Sequence, residues 1–197
     1  RVQLELNEKH AIQYGFDGAG DCWHEMDICD MSVLSDAAFD VVVAYGGPFS
    51  YALDKRFEAI RECVRILKPG GILAASVMSM WGGARHKLRG VTAIPPVQNR
   101  KIVASGDVLP DSFEGAQHYY HMFRAREFSD FLTGSGLRIE TLSAAVCLSV
   151  EQESVLAGIR DDAERWQSLL DMELESCAEP GALDLGPHII GVGCKIT

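Results

Sequence analysis

With 197 residues and 47% hydrophobic content, the chain has enough apolar material for one packed domain, which excludes a disordered polypeptide. Its formal net charge of −10 argues against a non-specific nucleic-acid surface, because that affinity rests on clustered Lys and Arg, and Arg85, His86, Lys87 and Arg89 form the only dense basic patch. No run approaches the roughly 20 apolar residues of a membrane span, so no membrane partner is expected, and Arg1 to His10 alternates charge and apolarity where a signal segment would be apolar. The cysteines, Cys22, Cys29, Cys63, Cys147, Cys177 and Cys194, are scattered, with neither a C-x-x-C pair nor a His at metal-ligand spacing. Reduced thiols in a cytoplasmic protein, and no metal, are the expectation.

Val2 to Tyr14 has helical spacing, with Leu4, Leu6, Ala11 and Ile12 partly to one side, and Gly15 to Gly20 breaks it. Cys22 to Met26 is a short strand candidate that ends in the acids Asp27 and Asp30. Phe39 to Ala44 is β-branched and apolar on both faces, as a strand buried inside a parallel sheet should be. Gly46-Gly47-Pro48 stops it. From Lys55 to Leu67 the apolar positions Phe57, Ile60, Val64 and Leu67 recur at helical spacing, with Asp54 placed to cap the start and Lys68 suited to the C-terminal end. Pro69-Gly70-Gly71 then ends the helix, and Ile72 to Val77 reads as a second buried strand. Two such strands around one amphipathic helix predict a right-handed βαβ crossover.

Met78 to Phe123 shows no sustained period, and residues 79–125 are expected to form an irregular substrate cover inserted into a single domain spanning 1–197. Arg126 to Thr133 predicts a helix with Phe128, Phe131 and Leu132 inward, followed by a Gly134-Ser135-Gly136 stop and a strand from Leu137 to Ala145. Ser149 and Gln152 have the spacing of a capping box and open a long helical region, with a break expected near Gly158, that ends at Pro180-Gly181. His188 to Ile196 closes the chain as a strand.

Asp27-Ile28, then Phe39-Asp40-Val41-Val42, then Arg65-Ile66-Leu67-Lys68-Pro69-Gly70-Gly71 resemble, in order and spacing, the later motifs of the class I S-adenosylmethionine-dependent methyltransferases. The resemblance runs on through Tyr119-Tyr120-His121-Met122-Phe123, Gly136-Leu137 and His188-Ile189-Ile190. It implies an α/β fold, a Rossmann-like doubly wound and mostly parallel sheet with an antiparallel last strand, and S-adenosylmethionine as cofactor. The family's glycine-rich loop and second strand should precede or flank the helix at Val2 and are not found. Gly18-Ala19-Gly20 imitates that loop, but no strand-like run precedes it, so it reads as a turn. The amino-terminal strands are therefore expected to be missing from this chain, which would leave the Cys22 strand without its partner.

Asp27 is the leading cofactor candidate, since a carboxylate at a strand's C-terminal end can accept a hydrogen bond from an adenine amino group, with the Ile28 N–H meeting a ring nitrogen. Asp30 competes, and a solvated loop acid is the plain alternative. Ala44, Tyr45 and Gly46 end the central strand on the same edge, where carbonyls can face the cofactor. Candidate acceptor-side groups are Tyr51, Trp81 and Tyr120, with His121 as a base because its unperturbed pKa lies near neutrality. A packed, hydrogen-bonded histidine is the competing reading. His118 is a weaker candidate, His188 is expected to be structural, and Arg85 to Arg89 reads by default as a solvated charged loop. The resemblance implies methyl transfer, here expected to be to a small-molecule acceptor, with a homodimer left open. A nicotinamide-dependent oxidoreductase is the enzymatic rival but lacks a strand-borne G-x-G-x-x-G and a Tyr-x-x-x-Lys pair; a non-catalytic methyltransferase-like module is the other.

Overall fold

The computed structural model describes residues 2–16, 23–116 and 118–196. Its centre is a sheet in the order β1-β2-β6-β5, built from Phe39–Ala44, Leu67–Met78, His188–Lys195 and Leu137–Ala144. β1 and β2 are parallel, joined through α3 (Arg56–Ile66), while β6 runs antiparallel to both β2 and β5. The expected crossover and antiparallel last strand are both present. The helix starting at Arg56 is preceded by a tight 3-10 turn, Leu53–Lys55, and its N-cap is Lys55 with no side-chain cap, so Asp54 does not cap it. The Lys-Pro-Gly-Gly stretch does not simply terminate the helix: it is absorbed into the start of β2 as an irregularity opposite Phe39 and Val41.

One face of the sheet carries the core. Leu73, Ala75, Val77 and Ile189 are buried there beneath Ala59, Ile60 and Cys63 of α3 and Phe128, Phe131 and Leu132 of α7 (Ala125–Gly134). The apolar spacing in each helix is what directs these residues to one side. Gly191 lets α7 settle onto the sheet, since a Cβ there would stand 2.7 Å from both Leu132 Cδ1 and Phe128 Cε1. Burial of Phe128 and Leu132 thus depends on a glycine four elements further along the chain.

The other face is more open. Val41 and Val43 are 54% and 63% exposed, so β1 is not buried on both faces as its composition suggests. It forms an edge of the described sheet, and residues 23–26 adopt no strand; only an isolated Asp27–Asp30 bridge forms nearby. The doubly wound cover is therefore complete on one face and partial on the other among the described residues. The remainder of the Cys22 strand candidate and the Gly18-Ala19-Gly20 turn lie outside them. α1 (Val2–Gln13) forms as expected but exposes Leu6 and Ile12.

The cover is more ordered than its sequence suggests. It contains α2 (Pro48–Tyr51) before it and then α4 (Met80–His86), α5 (Leu88–Ala93), α6 (Pro96–Ser105) and a short hairpin of β3 (Asp107–Val108) with β4 (Tyr120–His121). α4 and α5 are too short for a periodic signal and α6 buries only Ile102, yet their starts are marked: Ser79 Oγ accepts from the Gly82 N–H, and Pro96 opens α6. Toward the C-terminus α8 (Glu153–Ile159) and α9 (Ala163–Ala178) are separated at Arg160 to Asp162, with Asp162 capping α9. Ser149 is not a cap; its N–H donates to Glu173. That carboxylate also accepts from the N–H groups of Cys147 and Leu148, tying α9 to the loop after β5. Among the described residues no helix is long and apolar enough to cross a membrane.

Candidate functional site

At the C-terminal ends of β1 and β2 the backbone opens into two successive left-handed glycines, Gly46 at φ 85° and Gly47 at φ 80°, a conformation that glycine adopts without strain. Two buried hydroxyls hold this turn. Gly46 N–H donates to Ser76 Oγ at 3.0 Å, and Met78 N–H donates to Ser50 Oγ at 2.9 Å. Ala44 is buried, whereas Tyr45 and Gly46 are exposed, so the strand end faces outward at its last residues.

Asp27 reaches the same end of the sheet by a definable route. Cys29 Sγ contacts the Lys55 carbonyl at the start of α3, and the chain then runs along that helix to its far end. There Arg65 bonds the carbonyls of Met31 and Leu34 and the carboxylates of Asp36 and Glu62. The Asp27 Oδ1 accepts the Cys29 N–H at 2.9 Å, and this bond, followed by that of the Cys29 thiol, holds the carboxyl below its ordinary range. Its second oxygen leaves capacity for a further donor, as the adenine amino group would require. Ile28 is half-buried against the core, while Asp30 accepts from Ser32 N–H in a local turn. Asp27 and Ile28 thus lie in a turn tied to the start of α3, and Ala44, Tyr45 and Gly46 lie at the end of β1.

Of the acceptor-side candidates, Tyr51 and Tyr120 come together, their rings edge-to-face at 6.5 Å. Burial, and then the neighbouring Tyr51, pushes the Tyr120 phenol above its ordinary value. Trp81 lies apart from this pair in its contacts: its ring stacks beneath the Arg124 guanidinium at 5.6 Å. His188 stands opposite Met78 at the start of β6, where burial lowers its pKa. His118 is exposed. Arg85 lies within α4, not in a loop, and reaches the Leu185 carbonyl.

His121 is 1% exposed, and its two ring nitrogens lie 2.7 Å from Asp107 Oδ1 and 2.7 Å from Glu127 Oε1. Both nitrogens are therefore occupied, and the arrangement leaves neither free to take a proton from a substrate. His121 is thus packed and hydrogen-bonded on both sides. Asp107 and Glu127 are functional neighbours that sequence reasoning missed. Nothing in their local sequence pairs them with a histidine 14 or 6 positions away. Asp107 also lines an open cleft of about 480 Å³ with Leu109, facing Leu53, Asp54, Arg56 and Phe57.

The strand order and the antiparallel insertion of β6 define a Rossmann-like α/β fold. Residues 3–75 match the family model described as a methyltransferase domain. Over that stretch the chain is similar to methyltransferase domains, and its fold is shared with solved S-adenosylmethionine-dependent methyltransferases. Solved structures sharing the fold include a SAM-dependent methyltransferase from Methanosarcina mazei, at 16% identity and TM-score 0.57, covering 98% of this chain and 77% of that one. The [4+2]-cyclase SpnF has 20% identity and TM-score 0.56, with 100% of this chain covering 64% of the cyclase. A methyltransferase from Mesorhizobium loti has 14% identity and TM-score 0.54, with 92% and 75% covered. The chain thus spans about two thirds to three quarters of these proteins' lengths. No curated protein matches the sequence.

Proposed function

We propose that this domain transfers a methyl group from S-adenosylmethionine to a small-molecule acceptor. The observation that carries the proposal is the match of residues 3–75 to a methyltransferase domain, within which the Asp27 turn is tied through Cys29 to the start of α3 and two left-handed glycines follow β1. S-adenosylmethionine supplies an electrophilic methyl group on a sulfonium. On the protein side, Asp27 and Ile28 hold the adenine edge, and Ala44 to Gly46 line the approach to it. Tyr51 and Tyr120 wall the acceptor side, while Trp81 closes the cover at the start of α4. Such a site works mainly by aligning the acceptor and excluding water, so it needs no strong base unless the acceptor begins protonated.

Calorimetric titration tests this reading: micromolar binding of S-adenosylmethionine, with no binding of NAD, is the expected result, and binding of NAD alone would overturn it. Asp27→Ala should weaken the adenosine moiety about tenfold, the loss of one charge-assisted bond, without unfolding the domain. A second reading, in which the fold binds a ligand without methylating it, is favoured by the likeness to a [4+2]-cyclase. Transfer of an isotopically labelled methyl group to any acceptor in a small-molecule extract would decide against that alternative.

A further inference from the structure

His121 joins the β3–β4 hairpin to α7 through its two ring nitrogens. The β3–β4 hairpin pairs only Asp107 with His121 and Val108 with Tyr120, supported by one bond from the Met122 N–H to the Gly106 carbonyl at 2.8 Å. The imidazole spans from this hairpin to α7, with Asp107 on one nitrogen and Glu127 on the other, and its ring meets Phe123 edge-on at 4.6 Å. Ionised carboxylates only accept hydrogen bonds, so a ring that serves both must donate from both nitrogens. A neutral imidazole has a single N–H. Loss of the second proton would leave a lone pair facing a carboxylate inside the protein, exchanging a charge-assisted bond for repulsion.

We propose that His121 is a positioning residue whose doubly protonated ring clasps the β3–β4 hairpin to α7 and holds Asp107 on the wall of the cleft, and that deprotonation releases the clasp. The charged surroundings suit such a device. Asp107 faces the ring from β3 and Glu127 from α7; the Arg124 N–H bonds the other Glu127 oxygen, and Arg56 of α3 acts on the same carboxylate. Asp54 lies across the cleft, and Tyr120 adjoins the ring along β4 beside Tyr51 of α2. With one Asp107 oxygen bound to His121, the other is left for the cleft that Asp107 lines. The inference is independent of methyl transfer.

Nitrogen-resolved NMR of the imidazole, followed with hydrogen exchange at the Met122 amide from mildly acidic to mildly alkaline pH, tests it. After correction for intrinsic exchange, protection of Met122 should fall at least about tenfold in step with loss of the second ring proton, the scale of one charge-assisted bond. Glu127→Gln and Asp107→Asn retain an acceptor without its charge, and each should move that midpoint to lower pH. A neutral ring in a hairpin that remains protected would overturn the proposal. So would an unchanged midpoint in both variants. The wild-type measurement decides even where a variant fails to fold.

Discussion

Ser50 and Ser76 are buried hydroxyls at the end of the sheet, and each accepts one backbone N–H that the strand ladder leaves over. Ser50→Ala should cost about 1–3 kcal/mol by urea unfolding, because the Met78 N–H would lose its partner in a buried place. The acidic groups carry a pH signature of their own. Burial alone would raise the Glu127 pKa, but the His121 bond and charge, the Arg124 N–H and Arg56 together bring it below its ordinary 4.5. A lowered carboxyl contributes stability above its unfolded value and loses it as pH falls through its folded value. Glu127→Gln should accordingly flatten the acid limb of stability below pH 4.5, read from urea midpoints across pH. Asp27 was singled out by a motif in the sequence, although the strand expected before it does not form at residues 23–26. Asp107 was not, because a carboxylate beside a glycine in an irregular stretch has no local feature that announces a buried histidine.

At the scale of elements, the sheet separates strands that look alike in composition. Leu73 in β2 is fully buried, while Val43 in β1 is 63% exposed, although both belong to apolar runs. Leu73→Ala is expected to cost about 2–5 kcal/mol and Val43→Ala only about 0.5 kcal/mol or less, measured by the same denaturant series. Gly191→Ala provides a sharper probe of α7. Its methyl group would meet Leu132 and Phe128 well inside contact distance, so a loss of about 1–3 kcal/mol is expected from overpacking, where a helix resting further from the sheet would tolerate the change. The amphipathic spacing of α3 and α7 was readable in advance, whereas the short helices of the cover were not. α4 and α5 end before an apolar face completes a repeat and α6 buries only Ile102, so the Ser79 cap and Pro96 at the first helical position are their main marks.

For the whole molecule, burial keeps His188 below its ordinary pKa of 6.5, so the unfolded chain binds more protons than the folded one in that window. Stability should therefore fall as pH drops through about 6.5, and His188→Asn should remove that slope from thermal unfolding curves. Asp184 works in the opposite sense, since burial raises its carboxyl, but from an ordinary value of 3.8 it acts at lower pH.

The sequence by itself determined the βαβ unit, the α7 helix, the antiparallel closing strand and the resemblance they carry, because hydrophobic period, caps and turn residues are properties of neighbouring positions. Only the tertiary structure decided that β1 is an edge of the described sheet, that residues 23–26 form no strand, and that His121 is held between two carboxylates. Those outcomes depend on which distant segments come to lie beside one another: a strand is buried only if another pairs with it and a layer covers it, and an imidazole is free only if no carboxylate reaches it first.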